Sequence, residues 1–384
     1  MVLNNMAEIR YKQFNKESKD CLLGQICSEP LSYGMGAAAI QFNGDYKYIR
    51  ITDIDDETRS FIDEDPTSPD EVPDERYYLK ESDIVFARTG ASVGKSYRYK
   101  NSDGKLVYAG FLIRARIDLT KANQNYIFGQ TLTNKYNKWV KVMSTRSGQP
   151  GINADEYSSL PIKLVDKEEQ DLIGSFLEKL EKQIELANQE IEAWRTIKDN
   201  LVEQLIYKSG FKRAILSSLV EKKHKVEKDC VGYIEISDVI PNENRYLFAE
   251  AKELAAGAKK AEEGCILVST VRPTRGAICT LNQNSYVSGA FLQLYPKAGV
   301  NRDYLLFAIS SYRFLHKMGS FSTGSTYPTI DKDDILSFEI PVPETSIQND
   351  IAERINQIAR LISLKVKKRD HLVNRRLALL DKLY

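Results

Sequence analysis

The chain repeats itself once, and this internal repeat constrains its fold more than any other feature of the sequence. Segments of the first half recur in the same order in the second half, and their offset falls from 185 residues for the first pair to 180 for the third. Small differences in loop length produce such a gradual drift, so we interpret the pattern as two copies of one folding unit. The matched pairs are YIRITDID (48–55) with YIEISDVI (233–240), SDIVFARTGASVGK (82–95) with GCILVSTVRPTRGA (264–277), YAGFL (108–112) with SGAFL (288–292), and STRSGQPGINADEYSSLPI (144–162) with SFSTGSTYPTIDKDDILSFEI (320–340).

Each copy ends in a long helical pattern, at 166–207 and at 344–384. Apolar residues recur there in alternating steps of four and three, which is the spacing of a coiled-coil seam. The first pattern holds 11 acidic and 5 basic residues, whereas the second holds 5 acidic and 9 basic residues. Opposite charge favours pairing of the two helices with each other, and their order along the chain makes such a pair antiparallel. The alternative is that each helix packs only on its own domain.

The globular part of each copy combines short strands with polar loops. Runs such as YKYIRITDI, DIVFART and FLIRARI are rich in β-branched and aromatic residues and are bounded by Gly, Asp or Ser, as strands are. Residues 53–75 carry many acids and three prolines, so we predict a solvated loop without a strand there.

The sequence therefore predicts an α+β fold with a pseudo-twofold internal repeat. Two similar globular domains, residues 1–165 and 209–342, are expected to be separated by two long antiparallel coiled-coil helices, residues 166–208 and 343–384.

Composition excludes several classes of protein. The net charge of +1 argues against a chain that is basic all over, so any site for a polyanion must come from local clusters of Lys and Arg. The five cysteines include no C-x-x-C pair, which argues against zinc and against a disulfide framework, and Cys265 and Cys279 fall in strand-like runs as buried thiols. We find no signal peptide and no membrane span, and we expect a cytoplasmic protein.

The segment RTGASVGKS at 88–96 is similar to the phosphate-binding loop of a nucleoside triphosphatase (NTPase), but its spacing is wrong. Such a loop has four residues between its first Gly and the Gly-Lys pair, whereas only three separate Gly90 from Gly94. The equivalent segment, VRPTRGAI, has no Lys. We therefore expect no nucleotide site in this chain.

A metal-dependent nuclease is a second catalytic possibility. Asp238, Glu250 and Lys252 have the residue types of an Asp…Glu-x-Lys site, in which two carboxylates hold Mg²⁺. The equivalent Asp53 has no Glu-x-Lys at the matching distance. We predict no catalytic residue, no metal ligand and no cofactor-binding residue in this chain.

Binding is the function that remains, and its signals lie at equivalent places in the two copies. Residues 88–116 hold seven basic residues against one acid, and Lys135, Lys138 and Lys141 follow beside Trp139. Basic side chains neutralise phosphates, and Arg reads base edges. The loops TRSGQPGIN and STGSTYPTI form a second shared feature, since Gly permits close approach of the backbone to phosphate. The alternatives are a solvated basic face and a turn that closes each domain onto its helix.

We predict DNA contacts at both features in both copies. The predicted DNA-binding residues are Arg88, Thr89, Ser92, Lys95, Arg98, Arg146, Ser147, Gln149, Arg272, Thr274, Arg275, Thr323, Ser325, Thr326 and Tyr327.

The segments YGMGAAAIQFNGDYKYIRITDIDDE, DIVFARTGASVGKS, STRSGQPGINADEYSSLPIKLVDKEEQ and STGSTYPTIDKDDILSFEIPVPETSIQNDIAERI resemble the specificity subunits of type I restriction–modification systems. The resemblance covers nearly the whole chain, although the second copy is shorter at its start. It implies that each domain is a target recognition domain for one half of a split double-stranded DNA sequence.

The resemblance also implies partners. The helices would act as a spacer that docks two methyltransferase subunits, and motor-nuclease (restriction) subunits would join them. S-adenosylmethionine and ATP with Mg²⁺ would be bound by those partners. A stand-alone Mg²⁺-dependent nuclease and a coiled-coil scaffold that binds only protein remain the alternative functions.

Overall fold

The computed structural model describes residues 18–145, 151–221, 226, 229–241, 243–248, 253–324 and 328–384. Its contacts divide the chain into two compact units. Unit 1 comprises Met1–Leu186 and Arg369–Tyr384, and unit 2 comprises Ala187–Lys368. Unit 1 thus takes its last helical segment from the far end of the chain.

The helices and strands follow the repeat. The first copy contains β1 (Lys19–Leu22), β2 (Ser32–Tyr33), β3 (Ala39–Gln41), β4 (Lys47–Ile49), β5 (Thr67–Pro69), β6 (Asp83–Ala87), β7 (Ser96–Arg98), β8 (Leu106–Tyr108), β9 (Leu112–Arg116), α1 (Gln124–Gln130), α2 (Asn134–Ser144), α3 (Ala154–Ser158), β10 (Pro161–Leu164) and α4 (Lys167–Val202). The second copy contains β11 (Arg213–Ile215), α5 (Leu216–Leu219), β12 (Tyr233–Ile234), β13 (Val239–Ile240), β14 (Arg245–Tyr246), β15 (Lys259–Ala261), β16 (Ile266–Ser269), β17 (Ile278–Thr280), β18 (Ser285–Val287), β19 (Phe291–Leu294), α6 (Arg302–Ile309), α7 (Tyr312–Phe321), α8 (Lys332–Leu336), β20 (Glu339–Pro341) and α9 (Thr345–Leu383).

Short 3₁₀-helical turns and one π-helical turn complete the described secondary structure. The 3₁₀ turns lie at Leu23–Ile26, Ile51–Asp53, Glu75–Tyr77, Gly90–Ser92, Asn101–Asp103, Ile236–Asp238 and Pro273–Arg275, and the π-helical turn lies at Glu203–Tyr207.

The strand pairing confirms the repeat. In unit 1, β6 lies between β7 and β9 with antiparallel pairing on both sides. In unit 2, β16 lies in the same way between β17 and β19. Each copy also has one parallel pair of strands, β4 with β8 in the first copy and β12 with β18 in the second. An antiparallel pair joins the first and last strands of each domain, β1 with β10 and β11 with β20. The two copies therefore share these four pairings, although unit 1 adds β2 beside β9 and unit 2 adds β15 beside β18.

The central strand of each copy is buried on both faces, which explains why its sequence is a continuous apolar run. Ile84 and Phe86 of β6 point into a core that includes α1–α3, while Val85 points to the opposite face, against β4 and β8. In β16, Ile266 lies in one hydrophobic core of unit 2 and Leu267 lies in another, so this strand is also buried on both faces.

The acidic segment 53–75 differs from the prediction at one place. Thr67–Pro69 forms the strand β5, which pairs antiparallel with β3. A proline cannot donate to a ladder and is confined to positions where no donor is needed, so this short two-stranded sheet accommodates Pro69 at the end of β5.

The two long helices are antiparallel. Leu177 of α4 and Leu380 of α9 belong to one core cluster of unit 1. Within unit 2, Ile191 of α4 packs with Ile362 and Val366 of α9. Residue numbers therefore rise along α4 as those of its α9 partners fall. The apolar residues in the first turns of α4 and α9 also pack into the core of the adjoining domain. For those turns, the alternative prediction that each helix packs on its own domain is therefore correct.

Opposite charge contributes to the pairing, as the sequence predicted. Lys365 of α9 forms an ion pair with Glu190 of α4 inside unit 2. Both side chains are partly exposed, so we expect this pair to contribute to register more than to stability.

A duplicated polar cluster fixes the first turn of each long helix to its domain. The Gln170 Oε1 atom of α4 accepts a hydrogen bond from the backbone N–H of Asn123 at 3.0 Å, and Gln170 Nε2 donates to the Val165 carbonyl. Gln348 of α9 makes the same two contacts, to the N–H of Asn301 at 2.8 Å and to the Pro343 carbonyl. Both glutamines are almost fully buried. They couple the orientation of each helix to the fold of its domain.

We expect Gln348→Ala to lower the free energy of unfolding by about 1–2 kcal/mol, because it leaves the buried N–H of Asn301 and the Pro343 carbonyl without these partners. Chemical denaturation of the purified chain measures the change. Gln357→Ala serves as the control, since Gln357 is also on α9 but hydrogen bonds only to Glu353 at the surface. Equal stability of the two variants would contradict the role assigned to the buried amide.

Candidate nucleic-acid interface

The RTGASVGKS segment forms the connection between β6 and β7, not the start of a helix. Gly90 and Gly94 have φ angles of 73° and 86°, which L side chains rarely adopt. The N–H groups of Val93, Gly94 and Lys95 donate to the carbonyls of Gly90, Ala87 and Ser92. Because these amides are used inside the loop, they are not available to a phosphate. These three amides thus do not form the phosphate cradle that a nucleotide-binding loop presents.

Lys95 lies beneath this loop. Its Nζ donates to the Ile54 carbonyl at 3.1 Å and forms an ion pair with Asp56 at 2.5 Å, and only 9% of its side chain is exposed. The hydrogen bond from Lys95, together with its charge, lowers the pKa of Asp56. This placement does not support a direct contact of Lys95 with DNA, because its donors already bind within the protein.

Arg98 is directed toward the helix α4. Its Nη2 donates to Glu181 at 2.6 Å, and Lys100 contacts the other carboxylate oxygen at 3.0 Å. Burial opposes ionisation of Glu181, but the charges and hydrogen bonds of Arg98 and Lys100 bring its pKa below the ordinary value. The predicted DNA contact of Arg98 therefore has no support from its position in the domain interior.

Unit 1 brings the predicted loop segments to one place. Thr89 forms a β-bridge with Gly151, and the N–H of Ile152 donates to the Arg88 carbonyl. Gly94 lies against α2, where a Cβ atom would be 2.6 Å from a methyl group of Val140. The loop 88–95 therefore adjoins both α2 and the end of the TRSGQPGIN segment. Arg146, Ser147 and Gln149 of that segment lie outside the described residues.

Arg88 is held by an aromatic ring. Its guanidinium lies 5.1 Å from the centre of the Tyr33 ring, an arrangement that is typical of cation–π attraction. Its Nε is buried and has no hydrogen-bond partner among the described residues. Thr89 and Ser92 are half-buried beside it. The cation–π contact restrains the guanidinium, and Arg88 forms no ion pair with a carboxylate among the described residues.

Unit 2 repeats this cluster. Val271 and Thr323 each form a β-bridge with Thr329, and the N–H of Arg272 donates to the Pro328 carbonyl. Thr274 lies against α7, where a Cβ on Gly319 would be 2.7 Å from its methyl group. Thr274, Arg275 and Thr323 are exposed. Ser325, Thr326 and Tyr327 lie outside the described residues.

Arg272 occupies a left-handed backbone conformation, with φ 48° and ψ 57°. The equivalent position of unit 1 is Gly90, which adopts positive φ without a steric penalty. A non-glycine residue in this region costs of order 1 kcal/mol and is common at functional sites.

The residues that position these loops were missed by the sequence analysis. Tyr136 donates from its hydroxyl to the Gly94 carbonyl, and Tyr157 donates to the Ala87 carbonyl. Asp56 and Glu181 neutralise Lys95 and Arg98. The aromatic residues of the sequence predicted a hydrophobic core, but no sequence pattern predicted that these tyrosine hydroxyls would bond to the loop backbone.

The described residues contain no group of three His, Cys, Asp or Glu residues that could hold a metal ion. Asp238 caps its own turn by accepting from the N–H of Glu235 at 2.8 Å, and Glu250 and Lys252 lie outside the described residues. Burial raises the pKa of the Cys265 and Cys279 thiols to about 12, so neither is a nucleophile at neutral pH. No helix in the described part of the chain could span a membrane.

The fold and the loop clusters define a class of protein in which a duplicated α+β domain presents the same pair of loops twice and each copy continues into a long helix. Residues 32–193 and 221–374 both match the type I restriction modification DNA specificity domain. The chain belongs to this family and is a DNA specificity subunit of a type I restriction–modification enzyme.

Individual relatives agree with this assignment. The chain is 24% identical over 326 residues to a protein described as a putative type I restriction enzyme MjaX specificity subunit of Methanocaldococcus jannaschii. The aligned region covers 77% of this chain and 76% of the relative. It is 20% identical over 341 residues to the MjaVIII specificity subunit of the same organism, with 78% of each chain covered.

Solved structures share the fold. The type I S subunit from M. genitalium has a TM-score of 0.56 at 14% identity and covers 99% of both chains. A chain from a structure of type I system assembly and conformational transition has a TM-score of 0.51 at 15% identity, covering 97% of this chain and 98% of that chain.

Proposed function

We propose that each unit reads one half of a split double-stranded DNA sequence through its pair of loops. The observation that carries the proposal is the duplication of the loop cluster. In both units, the loop after the central strand bridges to the loop before the last short helix. A repeated recognition surface suits a target with two half-sites.

The proposed contacts are a revised set. We retain Arg88, Thr89 and Ser92 in unit 1, and Arg272, Thr274, Arg275 and Thr323 in unit 2. From outside the described residues we retain Arg146, Ser147, Gln149, Ser325, Thr326 and Tyr327. We assign Lys95 and Arg98 to positioning the loop and the helix, since their donors bind Asp56 and Glu181. Arginines on these loops, of which Arg275 is exposed and Arg88 and Arg272 are half-buried, suit readout of guanine edges, and Ser and Thr suit phosphate contacts.

In this proposal the chain performs no chemistry. Methyltransferase subunits, two for each chain, would dock on the long helices and supply S-adenosylmethionine, and restriction subunits would supply ATP-dependent motor and nuclease activity. Action on chromosomal DNA places the assembly in the cytoplasm. The exposed leucines Leu186 of α4 and Leu364 of α9 support docking at the helices, because each leaves apolar surface uncovered in its unit.

Methyl transfer with separated components tests the proposal. We expect the chain co-purified with its neighbouring methyltransferase to methylate genomic DNA in the presence of S-adenosylmethionine, and each component alone to give no sequence-specific transfer. Cleavage of DNA by the isolated chain with Mg²⁺ would instead indicate the nuclease. A chain that joins its partner but never shifts a duplex would indicate the scaffold.

A further inference from the structure

The helix α2 carries an unusual arrangement of charge. Its three lysines, Lys135, Lys138 and Lys141, are all exposed, and the helix contains no acidic residue. They are spaced by three residues and opposed by a buried face that includes Tyr136 and Val140. No ion pair involving these three lysines occurs among the described residues.

Helix stability does not account for this stripe of lysines. A cation near the C-terminal end interacts well with the helix dipole, which explains Lys141. Lys135 lies in the first turn, where a positive charge is unfavourable, and like charges three residues apart repel each other. The arrangement therefore lowers the stability of the isolated helix and requires another explanation.

The position of α2 in unit 1 provides an explanation for its exposed lysines. The helix packs on the loop 88–95 through Tyr136 and Val140, and it ends at Ser144, directly before the segment that contains Arg146. From Lys135 to Lys141 the helix rises by about 9 Å. One strand of a duplex carries a phosphate about every 3.4 Å along the helix axis, so this length spans about two and a half spacings, enough to reach three phosphates.

We propose that α2 tracks the DNA backbone, with Lys135, Lys138 and Lys141 each neutralising a phosphate, and that α7 of unit 2 has no equivalent role. This inference rests on the proposed function. In α7, Arg313 forms an ion pair with Glu203, and the Lys317 ammonium lies 4.5 Å from the centre of the Phe321 ring. Gly319 occupies the place of Lys141. In this proposal α2 of unit 1 therefore contributes phosphate contacts that α7 of unit 2 does not.

The salt dependence of DNA binding tests the inference. The full chain, purified with its methyltransferase partner, is titrated with a cognate duplex at several salt concentrations. For the Lys135→Gln/Lys138→Gln/Lys141→Gln variant, we expect the slope of log K against log salt to become shallower by about 2–3. The affinity at 50 mM salt falls by roughly 10- to 100-fold, while the methylated sequence is unchanged.

A control variant removes three exposed lysines that lie outside α2, the recognition loops and the long helices, Lys19→Gln/Lys80→Gln/Lys212→Gln, and should retain the wild-type slope. Equal slopes for wild type and the α2 variant would overturn the inference, as would equal losses in the α2 and control variants. Failure of the wild-type complex to bind any duplex would instead overturn the proposed function. Circular dichroism checks that the α2 variant is folded, and a single Lys135→Gln change, expected to alter the slope by about 1, repeats the test with minimal perturbation.

Discussion

Replacing Glu181 with alanine is expected to destabilise the chain by about 3–5 kcal/mol, because it leaves Arg98 with an uncompensated charge in the interior of unit 1. The Arg98 and Glu181 side chains are only 8% and 14% exposed. The Nε of Arg98 is buried without a partner among the described residues, so the guanidinium depends on its contact with Glu181. Denaturant unfolding of the purified chain measures the loss.

The effect of this substitution should depend on pH. Because the folded-state pKa of Glu181 lies below its ordinary value, ionised Glu181 stabilises the fold above the unfolded-state pKa of about 4.3. That contribution is lost as the pH falls through the lower folded-state pKa. The difference in stability between wild type and Glu181→Ala should therefore be largest near neutral pH and shrink in acid.

Glu185→Ala provides the matched control. Glu185 lies one turn further along α4, and its ion pair with Lys182 is exposed, so we expect a change within about 0.5 kcal/mol. If Glu181→Ala costs no more than Glu185→Ala, the buried ion pair does not anchor the helix to the domain.

The second large effect concerns recognition. We expect Arg272→Gly with Arg275→Ala to weaken cognate DNA binding by about 2–6 kcal/mol, since each bidentate contact with a base is worth about 1–3 kcal/mol. Glycine at position 272 reproduces Gly90 of unit 1 and relieves the left-handed strain, so the fold should be retained. Methylation by the assembled complex should lose sequence preference in one half-site and retain it in the other.

Arg302→Ala is the control for this variant. Arg302 is an exposed arginine near Gly264, at the end of β16 opposite the recognition loop. Preference lost in both half-sites, or kept in both, would contradict the assignment of the 272–275 loop to one half of the target.

The sequence predicted the repeat and the long helices because periodicity and matched segments are local properties of the chain. The helices α4 and α9 begin at Lys167 and Thr345, within two residues of the predicted starts. The strand β5 was missed because Pro66 and Pro69 are typical of a loop, and only its pairing with β3 makes the segment a strand.

The candidate site was predictable by position but not residue by residue. Thr274 and Arg275 lie at exposed positions of a loop as residue type suggested, whereas Lys95 and Arg98 are buried and bind partners within the protein. Their partners lie 41 and 83 residues away in the sequence, at the Ile54 carbonyl and at Glu181. Residue type alone cannot distinguish a basic side chain that is available to bind a phosphate from one that binds an acceptor within the protein.

The central claim is that two equivalent units read two separate half-sites, and the map of modified bases tests it most directly. The chain and the methyltransferase subunit of its system are expressed together in a host that lacks other DNA methylation, and the methylated positions are read by sequencing. We expect one split sequence whose two specified parts are separated by a gap of constant length. A contiguous motif, or methylation without sequence preference, would contradict the account.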